Sequence, residues 1–340
     1  MANYANSLLV TAQASLSDRM KAPEFRNKVW SVNEVFKKGT PFILPDINSL
    51  KTSDQRSVKA YTGAKTTATV GSARAHDHSA SGFGDSQEVS LSFTTYARKF
   101  KVSLKMADRN FLSAAEMLAN EIQSTFIDIH DEIESDSVAY LGTNKTQVNN
   151  ANSGTQIGSW DGTNYEWEVA ATNEDYYFQY IASMMRQNKY RGMMDVIHDP
   201  VLFSLAQQKA AQGATNAENL GFQFAGLNQY ESIDLSGGDG QKGISYVIPT
   251  GTVGMIDWIP RINREGRETK DFTYTTISDP FGSGLQFALH IREDGADNSS
   301  NGAETQDVDI EYEVSTDIAR VKAPLSTSNA STIFKSALLV

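Results

Sequence analysis

The chain has 340 residues, 40% apolar and 21% charged, with no cysteine and a formal net charge of −11. A chain of this length buries about three quarters of its extended surface, so it needs no covalent or metal staple. The lack of cysteine excludes a disulfide framework, a thiolate nucleophile and any thiolate-held metal. Arg19 is the first basic residue and Leu8-Leu9-Val10 is too short for an export core, while no run approaches the ~18 apolar residues of a membrane helix. The chain is therefore expected in aqueous compartments, with no membrane partner.

The charge is divided unevenly. Residues 1–105 carry 15 Lys+Arg against 8 Asp+Glu, and residues 106–340 carry 15 against 33. Such asymmetry suits a basic front part lying on the acidic part of another copy. The acidic majority would repel phosphate, which leaves only weak, non-specific contact with nucleic acid.

Within residues 1–50 the spacing predicts a short helix from Thr11 to Met20, and Pro23, Pro41 and Pro45 interrupt anything longer. Trp30 and its neighbours, and Phe42-Ile43-Leu44, read as anchor points on an extended arm that must dock elsewhere. Residues 56–105 read as a long hairpin: a β-prone run from Val58 to about Val70, a polar tip from Gly71 to Asp85 containing Phe83, and a return strand alternating at Val89, Leu91 and Phe93. The parity switches to Phe100, Val102 and Leu104, which predicts a bulge between Tyr96 and Lys99.

Residues 108–141 carry the strongest periodicity. Phe111, Ala115, Leu118, Ile122, Phe126, Ile129 and Ile133 fall on one helical face. Glu116, Glu121, Asp128, Asp131, Glu132, Glu134 and Asp136 form an acidic stripe expected to face outward, and Leu141-Gly142 is read as the helix stop. Residues 143–172 look loop-like. A second helix runs from about Thr172 or Asn173 through Met185 and stops at Gly192, followed by a strand at Met193 to Ile197 and a helix from Asp199-Pro200 to about Ala211. Short strands follow at 227–233, 244–248, 253–259 and 286–291, then an alternating strand from Val308 to Val314. The apolar end, Ile333 to Val340, is expected to dock.

Catalytic patterns are missing. His76 and His78 flank Asp77 without a third ligand, and His130 has Glu134 four residues on, a pairing expected at a surface. His198 reads as a strand-end residue and His290 as part of an apolar strand. No Walker loop, G-x-S-x-G or H-E-x-x-H occurs, and the glycine clusters at 237–240 and 282–284 lack the following helix that would aim amides at a phosphate. The residues thus point to no enzyme, no catalytic or metal site and no cofactor. A carboxylate-based hydrolase and a β-rich carbohydrate-binding module are kept as alternatives.

The order of elements, with Val196-Ile197-His198-Asp199-Pro200 before a helix and the run from Gly221 through Phe224 and Gly226 to Ser232, resembles the major capsid proteins of tailed bacteriophages. The resemblance implies an α+β, Hong Kong 97-type fold. Its parts would be an N-arm (1–50), an extended loop (51–105) and a peripheral domain (106–172 and 304–325) with spine helix 108–141. An axial domain (173–303) and a C-terminal docking segment (326–340) would complete it. It implies self-assembly into hexamers and pentamers of an icosahedral shell around double-stranded DNA. Further partners would be a separate scaffolding protein, a portal and decoration proteins. The chain would pass from host cytoplasm into the virion. Joined to the charge split, the resemblance suggests inter-subunit contacts through Arg98, Lys99, Lys101 and Lys105, through Glu121 and Asp128, and through Phe83 and Trp30.

Overall fold

A computed structural model describes residues 2–19, 30–43, 51–54, 56, 59–64, 85–103, 113–145, 158–187, 190, 192–213, 226–269, 272–294, 309–323 and 332–340. It is built on two sheets, the first wholly antiparallel and packed on one long helix, the second mixed.

The front of the chain is helical and docks on its own body. Helix α1 (Ala2–Arg19) buries Leu8, Leu9, Ala12 and Leu16 along one stripe, and α2 (Ser31–Ile43) buries Val32, Val35, Phe36 and Ile43. This corrects the expected extended arm. The apolar side chains lie at helical spacing in short clusters, and Pro41 falls in the last turn of α2, where it ends the helix without preventing it.

Strands β1 (Lys59–Ala64) and β2 (Asp85–Ser90) pair antiparallel, from Lys59↔Ser90 to Ala64↔Asp85, and join neither larger sheet. The hairpin is thus present, and its tip lies outside the described residues. Strand β3 (Phe93–Ser103) pairs in unbroken register with a later strand from Phe93↔Ala319 to Ser103↔Asp309. The predicted bulge between Tyr96 and Lys99 is therefore absent, and Leu91 and Phe93 pack instead with Ile256 and Ala319. Tyr96, Phe100 and Val102 share the buried face.

The spine helix α3 (Ala114–Asn144) starts at a capping box, in which the Ser113 hydroxyl accepts from the Glu116 amide and the Glu116 carboxylate accepts from the Ser113 amide. Ser113→Ala is expected to cost about 1 kcal/mol, read as a shift in urea midpoint; no shift would mean the helix needs no cap. Gly142 lies inside the helix, which continues to Asn144, so the expected stop is three residues early. Leu118, Ile122, Phe126 and Ile133 are fully buried.

After α3 come a hairpin of β4 (Ser159–Asp161) and β5 (Glu166–Val169), a 3-10 turn (Ala171–Tyr176) and α4 (Tyr177–Gln187). Next are β6 (Met194–His198), α5 (Pro200–Gly213), β7 (Leu227–Glu231), β8 (Gln241–Pro249) and β9 (Val253–Trp258). The chain continues through α6 (Arg261–Glu265), β10 (Arg267–Glu268), β11 (Phe272–Ile277), β12 (Phe287–Asp294), β13 (Asp309–Lys322) and β14 (Phe334–Leu339).

One sheet has the order β10-β11-β12-β13-β3, with β9 also on β13, and the other has the order β4-β5-β14-β8-β6-β7. Strand pairing thus divides the chain differently from the expected split at 173–303. Strands from 253 to 294 join β3 and β13 beside the spine helix, and the early β4–β5 hairpin joins the second sheet. The first sheet lays Tyr96, Phe100, Tyr312, Val314 and Leu289 into one core with the spine helix. The second packs Val196, Val247, Phe334 and Leu338 against Phe178, Ile181 and Leu202 of α4 and α5.

Candidate functional site

Three polar regions stand out. The first is the outer face of the β3–β13–β12–β11 sheet. The register puts Lys101 opposite Glu311, which faces Arg292, which faces Phe272. One pair along, Lys99 faces Glu313, His290 and Tyr274. Lys101 reaches Glu311 at 2.5 Å and Lys99 reaches Glu313 at 3.4 Å. The His290 ring stacks between Phe272 and Tyr274, with centroids 5.5 and 4.5 Å away. A groove of about 360 Å³ runs over these rows. Because Lys99 keeps 77% of its side chain exposed, such pairs are each worth only ~0–1 kcal/mol and can exchange partners.

The second region is the seam between α2, the spine helix and the first sheet. Glu134 is buried and accepts the Val32 amide at 2.9 Å and the Asn33 amide at 3.0 Å, so the spine helix supplies the cap for α2. Burial pushes its carboxyl up to about 7, against the two amide bonds, with Asp234 and Asp131 adding to the rise. Arg320 of β13 donates to Ser137 Oγ (3.0 Å), Tyr96 OH (2.9 Å) and the Ile133 carbonyl (2.8 Å). Tyr96 in turn donates to Asp136. His130 lies 3.2 Å from Asp279 Oδ2. Burial pushes the Asp279 carboxyl up, but bonds from His130 and from the Ser283 and Phe281 amides outweigh it and hold the group below the usual carboxylate range. The acidic stripe therefore does not simply face water, because Glu134 is buried under α2 and Asp136 accepts from the buried Tyr96.

The third region is a Ser245–His198 pair at 2.7 Å, with Tyr177 OH 3.0 Å from the same hydroxyl and Gln229 on the other ring nitrogen. It has the atoms of a nucleophile and base, but Ser245 and His198 are both fully buried. Burial lowers His198 to about 4, so the neutral ring acts as a bridge between strands β6 and β8. The carboxylates Asp161, Glu166 and Glu168 also cluster. Their charges are engaged within the chain: Glu166 by Lys335 at 2.6 Å and Gln241 at 2.8 Å, and Asp161 by the Thr163 amide at 2.8 Å.

No family model and no curated protein matches the sequence. Solved structures do. The capsid of cyanophage A-1(L) is 11% identical and aligns over 94% of this chain and 98% of its own, with a TM-score of 0.50. The chain has the Hong Kong 97-type capsid fold. The capsid of cyanophage P-SCSP1u is also similar, at 11% identity over 85% of this chain and 84% of its own, with a TM-score of 0.47.

In this capsid fold the named contact residues that are described have partners within the chain. Arg98 points to the spine helix and reaches Asp128 at 2.5 Å and Glu121 at 3.9 Å. Trp30 stacks on His130 at 4.5 Å, meets Phe281 edge-on and donates its indole N–H to Asp131 at 2.7 Å. Lys99 and Lys101 lie on the outer sheet face. Phe83, Lys105, His76 and His78 lie outside the described residues. Sequence reasoning missed the Glu134 cap and the His130–Asp279 pair. The only trace of either was a carboxylate and a histidine at i and i+4 on the spine helix, which reads equally well as a surface pair.

Proposed function

We propose that the chain is the major capsid protein of a tailed phage, a subunit that assembles into the icosahedral shell enclosing double-stranded DNA. The observation that carries this reading is a fold shared along nearly the whole length with the cyanophage A-1(L) capsid subunit. The β1–β2 hairpin, which joins neither sheet of its own chain, supports it as an arm for a neighbouring copy. Its role is structural and its place is the virion, reached from host cytoplasm. Hexamers and pentamers, a separate scaffolding protein, a portal, decoration proteins and weak DNA contact belong to the same proposal.

So do the inter-subunit roles of Arg98, Lys99, Lys101, Lys105, Glu121, Asp128, Phe83 and Trp30. Since exposed pairs are weak, apolar burial supplies most of each contact, and many contacts per subunit make the shell stable. Sedimentation and negative-stain imaging of the purified chain should reveal capsomers or shells, and a solitary monomer at every concentration would defeat the reading. Lys99→Glu with Lys101→Glu should reduce assembly while leaving the melting temperature near wild type.

A further inference from the structure

A cleft of about 520 Å³ opens between the N-terminus of α2, the middle of the spine helix and the segment after β7. Asp131, Glu134, Glu231 and Asp234 line it, and none of these four forms a salt bridge to a cation among the described residues. Glu34, at the rim, is matched by Lys38 at 2.8 Å. The floor adds an independent sign of a missing partner. Ser232 is only 3% exposed, yet its hydroxyl has no hydrogen-bond partner, and the amide nitrogen of Gln229 beside it has none either. A buried hydroxyl left unpaired carries an uncompensated desolvation cost, which an occupant able to bond it would remove. Ile233 stands at the mouth with 83% of its surface exposed.

We propose that this cleft receives a lysine or arginine side chain from a second copy of the chain. The inference rests on the assembly reading above and specifies one contact within it. A bare metal ion fits poorly, because the only carboxylate set whose oxygens converge within 4.8 Å among the described residues is Asp161, Glu166 and Glu168, elsewhere in the molecule. A long basic side chain fits on three counts. Its head offers several N–H donors to separated carboxylates and to the Ser232 oxygen. Its methylene stem can lie on Ile233. The front third of every copy carries the surplus of positive charge that such a receptor needs, 15 Lys+Arg against 8 Asp+Glu.

The test uses the full chain. Glu231→Lys with Asp234→Lys reverses two exposed carboxylates at the mouth. It should raise the concentration needed for assembly by about tenfold or more, with the melting temperature near wild type. Because the chain has no cysteine, Asp234→Cys gives a single attachment point for a photo-crosslinker. In assembled particles it should capture a lysine- or arginine-bearing peptide of another copy. Assembly of the reversed variant at the wild-type concentration, or crosslinks confined to the same chain, would overturn the cleft proposal alone. A wild-type chain that never assembles would bring down the assembly reading and the cleft with it.

Discussion

Replacing Gly39 with alanine should destabilise the protein by about 3 kcal/mol, the upper end of overpacking costs. In an ordinary helix interior the same change stabilises by roughly 0.5–1 kcal/mol, so even the sign is diagnostic. Gly39 sits in α2 where the helix meets β9 backbone to backbone. A Cβ there would stand 1.8 Å from the Val253 carbonyl oxygen and 3.0 Å from its carbon. The obstacle is main chain held by the β9–β13 pairing, so it cannot rotate away as a side chain would. One residue on, the Thr40 hydroxyl donates to the Met255 carbonyl at 2.7 Å and accepts the Met255 amide at 3.0 Å, which occupies the edge of β9 that β13 leaves free. Moving α2 outward to admit a methyl group would stretch both bonds. Urea unfolding of Gly39→Ala decides the matter, and a variant as stable as wild type would mean that α2 does not lie this close.

The second large effect is a pH dependence carried by Glu134. Its folded pKa of about 7 stands above the ordinary value of 4.5. The folded state therefore holds the proton more tightly, and stability from this group is complete below pH 4.5 and lost as pH rises through 7. A shift of that size is worth about 3 kcal/mol. His198 works in the opposite direction. Its folded pKa, lowered to about 4 from 6.5, makes stability rise with pH across much of the same window. The wild-type curve should thus be nearly flat, and the informative quantity is the difference from Glu134→Gln. Unfolding free energies of the two proteins measured from pH 4.5 to 7.5 should diverge by about 3 kcal/mol, with wild type losing ground as pH rises. Parallel curves would show that Glu134 is hydrated and not buried beneath α2.

The spine helix was legible because its periodicity is long and its apolar residues are large: five of the seven named positions, from Leu118 to Ile133, are buried. The alternating β13 was legible from Ile310, Tyr312 and Val314 for the same reason. Helix α1 was only half read, because Leu8, Leu9, Ala12 and Leu16 make a thin stripe among small polar residues. Strand β11 was overlooked, although Phe272-Thr273-Tyr274-Thr275 is β-prone, since it lies amid turn-rich sequence. What no local pattern carries is which sheet a strand joins. Residues 166–169 and 335–338 pair in parallel across half of the sequence. The fate of the acidic stripe was hidden likewise. Burial of Glu134 depends on α2 arriving from about a hundred residues upstream.

That long-range pairing affects how the chain is made. Strand β14 is flanked by β5 on one side and β8 on the other, so one edge of each waits on the ribosome's delivery of residues 334–339. During vectorial synthesis two apolar edges stay open, and edges of that kind recruit other nascent chains. The closing step is non-local and therefore slow. Sister polypeptides growing on one message would be exposed to cross-pairing in that interval, which makes a holdase chaperone most useful late in translation.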